Sequence, residues 1–461
     1  MNPYRLPSFN GRFGVARRDI TPPTGIYARN WGLAEHDVAS DIHQPLTLTA
    51  LVISAHGGEP SFAIVALDLG WWRSVAEEEI LARAVADAGF DPAQTLLALS
   101  HTHAGPSFCP HDADKPGGAL IVPYLERVAG EITDALKSAR ASMVEGTLEV
   151  LAGTSPLAAC RELAVDGRPV VGWNPDAPAD QTLLFGRISD AAGRCLATIV
   201  NYACHPTIMA WQNRAISPDY VGTMRQLVEE ETSAPCLFLQ GASGDLAARH
   251  QYTGDLRVAE KAGRVLAHSV LALWHQMPLP NHELVFTGTV ESGAPLGLWE
   301  QRPRSEAPAR ELQILPSRVS LPIADTLPSR EALMRESAAT TDRTLLERLA
   351  RLKRRRDAVG DCATAPRPCV TARLGDIRLA AISDEAYSAM QRSLREETGT
   401  NPLFVVTLVN RNLGYLVPEA LHSPEHYASR VTPYAPGSFE LMQRHLKEQL
   451  RKIPSDGQRP A

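Results

Sequence analysis

Residues 99–107 read LSHTHAGPS and place two histidines, His101 and His103, one residue apart at the end of an apolar run. At a strand end, the two rings of a His-x-His pair point the same way, because side chains alternate faces with period 2. Imidazole is a ligand suited to Zn²⁺, and a catalytic zinc site keeps one position open for water. The pair therefore indicates part of a metal site, whose remaining ligands must come from elsewhere in the chain.

Other polar residues follow apolar runs in the same manner, namely Asp68, His205, Asp245 and Glu385. Because ligands gather outside the carboxyl ends of strands in α/β sheets, this placement favours a shared site. Taken alone, each histidine is more typical of a hydrogen-bonded core residue. Three histidines with a carboxylate favour a metal.

Predicted strands and helices, which must position these residues, alternate through the first 280 residues. The apolar spacing predicts strands over 61–70, 94–103, 193–205 and 234–241, and helices over 75–89, 123–142, 220–231 and 255–274. This alternation predicts an α/β fold with a mixed, layered sheet core flanked by helices. We expect three parts: an α/β metal-binding core at 14–285, a Pro/Arg-rich excursion and helical arm at 286–365, and the remainder of the same domain at 366–450.

Residues 290–330 are rich in Pro and Arg and have no clean periodicity, which predicts a long loop. A helical arm is predicted to follow at 328–358. The basic run RLKRRRD at 351–357 lies within this arm, and we interpret it as a solvent-exposed helix face rather than a binding patch.

Composition limits the classes of function. The 461 residues, 44% of them hydrophobic, can build a large core, and a net charge of −6 is not typical of nucleic-acid binding. No run of 18 apolar residues is present, so we expect no stable membrane insertion.

The seven cysteines are scattered singly and the N-terminus lacks a secretory pattern, which favours a cytoplasmic protein. We expect a small-molecule substrate, and the oligomeric state stays open.

Five short motifs then occur in one order along the chain. They are SHTHAGP (100–106), NYACHPTIMAWQNRAISPDYVG (201–222), LQGASGDLAA (239–248), DEAYSAM (384–390) and NLGYLVPEALHSPEHY (412–427). Together with VARRDITPPTG (15–25), they resemble the catalytic domain of the neutral ceramidase family. Each motif is only moderately specific, but the ordered set is a strong signal.

The resemblance implies one zinc ion per chain, held by His101, His205, Glu385 and Tyr415. It also implies roles for three further side chains. His103 would stand beside the metal, Arg161 would contact the substrate, and Tyr427 would donate a hydrogen bond to the developing oxyanion.

Several side chains have alternative interpretations. Arg161 could be a surface arginine, and Tyr427 could serve packing. Asp245 could form a turn, although we favour an anchor behind a metal-binding histidine. Asp68 could do the same. Tryptophans at 71, 72 and 211 could line a pocket, although core positions are more typical of this residue.

The chain also departs from the family pattern. Ala247 stands where the family has an active-site serine, and Ser243 is the nearest alternative hydroxyl. Ser383 and Asp384 replace the family's Pro-Gly before Glu385. The sequence shows neither the strand pattern of the family's C-terminal immunoglobulin-like domain nor an amphipathic apolar segment that could draw ceramide from a membrane.

These observations predict a zinc-dependent hydrolase, an amidohydrolase first, in which metal-activated water cleaves an amide of a small soluble substrate. Ester or lactone hydrolysis is a close alternative. A non-catalytic zinc- or ligand-binding relic and a true ceramide or N-acyl lipid amidase remain open. A metallo-phosphoesterase is disfavoured, because paired aspartates for two metals are lacking.

Overall fold

The computed structural model describes residues 2–59, 61–399 and 401–453. Its helices are α1 (Val75–Asp87), α2 (Ile121–Ala141), α3 (Tyr220–Thr232), α4 (Leu256–Gln276), α5 (Arg330–Ala338), α6 (Arg343–Val359), α7 (Ser388–Thr398), α8 (Tyr427–Val431) and α9 (Ser438–Arg451). Its strands are β1 (Ser8–Asp19), β2 (Asp41–Ile42), β3 (Thr47–Ser54), β4 (Phe62–Leu67), β5 (Thr95–Leu99), β6 (Val144–Thr154), β7 (Ala158–Cys160), β8 (Glu162–Val165), β9 (Arg168–Val171), β10 (Thr182–Asp190), β11 (Cys195–Tyr202), β12 (Ala215–Ile216), β13 (Cys236–Gln240), β14 (Leu246–Ala248), β15 (His282–Glu291), β16 (Pro295–Pro303), β17 (Leu312–Pro322), β18 (Thr364–Leu374), β19 (Ile377–Ile382), β20 (Glu385–Ala386), β21 (Leu403–Val406) and β22 (Tyr415–Leu416).

Two mixed sheets form the centre of the fold. The larger has the strand order β13-β11-β10-β6-β1-β3-β4-β5, with parallel pairing of β4 with β5 and of β11 with β13. The smaller has the order β17-β18-β19-β21, with β19 and β21 parallel. Since helices flank both sheets, the predicted α/β class with a mixed, layered core is confirmed.

The core is arranged in four layers. Apolar side chains of both sheets, such as Phe13 and Leu51 from one and Leu379 and Phe404 from the other, form a single buried cluster between them. Helices α1 to α4 cover the outer face of the larger sheet. Helices α7 and α9 cover the outer face of the smaller one. Strands such as β4, β5 and β19 therefore bury both faces, which explains the near-continuous apolar runs of the sequence.

The larger sheet brings distant segments together because its two edge strands, β13 and β5, approach each other. Twist accumulates over many strands of a sheet, and here it carries one edge round towards the other. The carboxyl ends of β5 and β11 consequently lie close together, although about a hundred residues separate them in the chain.

The expectation of a long loop over 290–330 is wrong. A hairpin of β15 and β16 and the long strand β17 occupy most of this stretch. The prolines argued against a strand in the sequence analysis, because proline cannot donate a backbone hydrogen bond. Strand β17 nevertheless carries Pro316, since it lies at the edge of its sheet, where a missing N–H is tolerated. The predicted arm at 328–358 is two helices, α5 and α6, and Asp342 caps the second. The division of the chain into three parts stays a prediction.

Among the described residues, the structure has no helix with the length and apolar character needed to cross a membrane.

A buried carboxylate, Asp384, fixes the segment that enters the site. It accepts hydrogen bonds from Arg367 Nε at 2.9 Å, Leu413 N at 3.0 Å and Tyr434 Oη at 3.0 Å. Its bonds tie the residue before Glu385 to the chain that leads into β22.

We predict that Asp384→Ala lowers the free energy of unfolding by about 3–5 kcal/mol, because the buried guanidinium of Arg367 loses its counter-ion. Urea unfolding of both proteins measures the change. The exposed Asp325→Ala serves as control, with an expected change below about 0.5 kcal/mol. Equal stability of D384A and wild type would contradict this role.

Candidate metal centre

His101 reaches the site through a turn rather than a strand. Strand β5 ends at Leu99, and His101 has a left-handed backbone with φ of 69°. The sequence analysis expected strand alternation to align the two rings. That reason is wrong, because His101 lies in a turn beyond the end of β5. The Nδ1 atom of His101 lies 3.0 Å from Gly70 O. Donating its proton to this carbonyl leaves Nε2 as an acceptor.

His205 follows β11 and is held in the same way. Its Nδ1 lies 2.6 Å from Ser243 O, in the loop after β13, and 3.2 Å from Leu246 O, at the start of β14. These carbonyls orient the ring and fix its tautomer, leaving Nε2 directed at the centre of the site.

Glu385 meets both rings. Its Oε2 atom lies 3.3 Å from Nε2 of His101 and 3.4 Å from Nε2 of His205. The other oxygen, Oε1, accepts a hydrogen bond of 3.1 Å from Asn412 Nδ2. Parallel pairing of β20 and β22 places Glu385 beside Tyr415.

The donor atoms at the centre have no partner of their own. Nε2 of His101, Nε2 of His205 and Oε2 of Glu385 are buried without a hydrogen-bond partner in the described chain. Donor nitrogens of the three histidines, His103 included, lie within 4.8 Å of one another. Buried polar atoms are rarely left unpaired, so this cluster fits a cation bound by nitrogen and oxygen.

The protonation states suit such a cation. Burial lowers the pKa of His205 to about 3 and that of His103 well below its usual range. Both rings are therefore neutral at pH 7, the form that binds metals.

His103 lies beside the cluster and lines both cavities described below. Its ring centroid is 4.9 Å from that of His101 and 6.0 Å from that of His205. Trp71 and Trp31 flank it at 4.8 and 5.4 Å. Neither ring nitrogen has a hydrogen-bond partner among the described residues, so both are available to a ligand.

Arg161 is buried, which excludes the surface alternative. Its Nε and Nη2 donate to Gly244 O at 3.1 and 2.8 Å, and Nη2 also donates to Tyr415 Oη at 3.2 Å. The phenol of Tyr415 is thereby oriented beside Glu385. Burial raises the pKa of Tyr415 well above its usual value, and the charge of Glu385 acts in the same direction.

Two adjoining cavities, of about 170 and 540 Å³, open beside the histidines. Tyr427 lines both of them, as do His103 and Tyr415. The rings of Tyr427 and Tyr415 are 6.0 Å apart. The hydroxyl of Tyr427 has no hydrogen-bond partner in the part of the chain described, so it can donate to a ligand.

The carboxylates Asp245 and Asp68 do not anchor a histidine in the structure. Asp245 accepts hydrogen bonds from Ser388 N at 2.6 Å and Ser388 Oγ at 2.7 Å, and so fixes the start of α7 behind Glu385. Asp68 pairs with Arg225 of α3. Backbone carbonyls took the anchoring role because the loop after β13 turns them, rather than its carboxylate, towards His205.

Ala247 and Ser243, which the sequence analysis compared with the family's serine, are both buried. Ala247 lies in β14, buried against β7. The hydroxyl of Ser243 accepts a hydrogen bond of 2.7 Å from Gln240 Nε2. Sequence reasoning left this question open because only geometry decides where a hydroxyl points.

The larger cavity has an aromatic wall that the sequence only partly revealed. Trp31, Trp211 and Tyr252 form it, with ring centroids 5.7 to 6.4 Å apart. Trp71 and Trp72 both line the smaller cavity, although Trp72 is almost fully buried and also packs against Phe108. No local pattern marked Trp31 or Tyr252.

The interpretation of residues 351–357 as a solvent-exposed face is wrong for two arginines. Arg351 and Arg355 are partly buried and line both cavities. Their spacing was the missed signal, because residues four apart share one face of a helix.

The solved structures that are similar to this chain include two ceramidases. The chain is similar to the neutral ceramidase from Pseudomonas aeruginosa, with a TM-score of 0.64 and 19% identity over 99% of this chain and 77% of that chain. It is similar to a ceramidase complexed with C2, with a TM-score of 0.64, 17% identity and the same coverage. The chain has the neutral ceramidase fold.

The ceramidase fold confirms the resemblance that the five ordered motifs indicated. No family model matches the chain, and no curated protein matches its sequence. The motifs were therefore more informative than overall identity. The reason is physical, since the few positions that build the site are constrained while the layers around it tolerate many apolar residues.

We predict that the purified protein binds one zinc ion per chain and that His205→Ala lowers zinc affinity at least about 100-fold, since it removes a donor whose Nδ1 is held by carbonyls. Elemental analysis and zinc titration measure this. His275→Ala, at an exposed histidine of α4, is the matched control and keeps wild-type affinity. Full zinc affinity in H205A would exclude this centre.

Proposed function

We propose that this protein is a zinc-dependent hydrolase that cleaves an amide bond of a small soluble substrate. The observation that supports it most directly is the set of unpaired, buried donors on His101, His205 and Glu385 beside a cavity. In this proposal Tyr415 completes the ligand set. Zinc in such a set supplies a Lewis acid that polarises a carbonyl and lowers the pKa of water towards about 7.

His103 is proposed to move the proton. A neutral ring with two unpaired nitrogens can accept a proton from the attacking water and pass it to the leaving nitrogen. Trp31 and Trp71 on either side restrict the ring's movement and limit the access of bulk water.

Tyr427 and Arg161 are proposed to stabilise the developing oxyanion. Tyr427 has a hydroxyl ready to donate into the cavity, whereas Arg161 acts mainly by orienting Tyr415 and keeping a fixed positive charge nearby. A donor aimed at the transition-state oxygen is typically worth about 3–4 kcal/mol.

The cavity suits a modest acyl group. A volume of about 540 Å³ lies within the range of small-molecule sites, and its aromatic wall offers apolar contact. This supports a small amide over a long-chain lipid, although the C2 complex of the related fold keeps short-chain ceramide as a test compound. A cytoplasmic location belongs to the proposal, since all seven cysteines are unpaired.

The alternative of a non-catalytic relic makes a different prediction. The absence of a serine at Ala247 favours it, while the unpaired nitrogens of His103 argue for retained chemistry. A relic would bind zinc and turn over no member of a panel of N-acyl amino compounds, aryl esters, lactones and short-chain ceramide. Hydrolysis confined to esters or lactones would redirect the proposal to those substrates.

We predict that, with the best amide of that panel, Tyr427→Phe lowers kcat by about 10²–10³ with little change in KM, because it removes a donor used only in the transition state. Steady-state kinetics on the zinc-loaded protein measure this.

Tyr4→Phe, at an exposed tyrosine far from the cavity, controls for the loss of a phenol and keeps wild-type kcat. A kcat for Y427F within threefold of wild type would remove Tyr427 from the mechanism.

A further inference from the structure

One face of helix α6 forms a wall of the larger cavity. Arg348, Arg351 and Arg355 lie three, four and seven residues apart on this face. Such spacing aligns side chains along one side of a helix. Arg430, an exposed residue at the end of α8, and the buried Arg161 add positive charge to the same cavity. Glu347 is the acidic residue among the described lining side chains of this cavity.

Most guanidinium groups around the two cavities already have an acidic partner. Those with partners are Arg73 and Arg354, which share Asp112, Arg351 with Glu347, Arg367 with Asp384 and Arg411 with Glu78. Arg355 differs from all of these. It is partly buried and makes no ion pair or side-chain hydrogen bond within the described chain.

An arginine in this setting is expensive for the folded protein. Its N–H donors have no acceptor in the described chain, and Arg351 brings a second positive charge nearby. Burial lowers the pKa of Arg355 below its usual value and Arg351 acts in the same direction, while Tyr427 and Glu385 oppose them. An anion bound in the cavity would relieve both costs.

The position of Arg355 relates it to the reacting centre. Arg355 lines both cavities, which meet at His103, Tyr415 and Tyr427. Arg351 provides a scale, because its guanidinium carbon lies 5.4 Å from the Trp71 ring, which is itself 4.8 Å from the His103 ring. One indole ring thus separates Arg351 from His103, and a group held by these arginines shares its cavity with a carbonyl placed at the histidines.

We propose that the substrate carries an oxyanionic group, a carboxylate or a phosphate, and that Arg355 binds it with support from Arg351. This inference rests on the proposed hydrolase function and names its substrate class. The planar fork of a guanidinium matches two oxygens of either group. A neutral lipid amide would leave the fork unpaired.

The test uses three compounds that differ at one end only. N-hexanoylglycine carries a carboxylate, N-hexanoylglycinamide is its neutral counterpart, and N-hexanoylaminomethylphosphonate carries a phosphate-like group. Binding is measured by calorimetry and kcat/KM by product release, both with zinc-loaded protein. The variants are Arg355→Gln and Arg355→Lys. Lys353→Gln is the matched control, because it removes a charge from the same helix at a residue outside the lining of both cavities.

We expect wild type and K353Q to bind at least one anionic compound about tenfold more tightly than the neutral amide. In R355Q this preference falls to within about threefold of unity, through a weaker Kd and a higher KM rather than a lower kcat. The preferred anion decides between carboxylate and phosphate. R355K keeps the charge without the fork and loses at least threefold of the preference, so it carries the test if R355Q fails to fold.

The proposal is overturned if wild type does not prefer an anion, or if R355Q and R355K keep the preference of wild type. Its failure can be told apart from failure of the hydrolase proposal. Anion binding that depends on Arg355 without turnover of any compound would retain the anion site and reject the hydrolase. Turnover without any preference for an anion would retain the hydrolase proposal and reject the anion site.

Discussion

The site depends on backbone carbonyls that fix the direction of two imidazoles. Gly70 O and Ser243 O each bind the Nδ1 side of a histidine, so the opposite nitrogens of His101 and His205 can point only towards Glu385. Without these bonds the rings could satisfy themselves elsewhere and no set of unpaired donors would arise. Everything proposed about chemistry follows from this constraint, because buried donors without partners are stable only if something else binds them.

The fold serves this constraint through the geometry of its two sheets. The approach of β13 to β5 brings the loops after β5 and β11 together. Glu385 in β20 and Tyr415 in β22 follow strands of the smaller sheet and pair beside these loops. Asp384 holds their segments in place by accepting hydrogen bonds from Arg367 and Leu413. In this chain a carboxylate therefore positions the segment that carries Glu385.

The sequence predicted features that are encoded locally. The apolar runs predicted the layered α/β core, and the resemblance of the ordered motifs to the neutral ceramidase family implied which residues meet. The sequence could not predict features that depend on long-range geometry. The left-handed turn at His101, the carbonyl anchors and the bond of Asp245 to Ser388 arise only after distant segments pack. The basic run in α6 was misjudged because charge alone predicts solvent, whereas the position of α6 over the cavity turns Arg351 and Arg355 inward.

The most direct test of the account is a crystal structure of the zinc-soaked protein with anomalous data collected on both sides of the zinc absorption edge. The account predicts one strong anomalous peak within about 2.0–2.2 Å of His101 Nε2, His205 Nε2 and a carboxylate oxygen of Glu385, with Tyr415 in reach of the fourth position. A peak elsewhere in the molecule, or none between these side chains, would contradict the central claim.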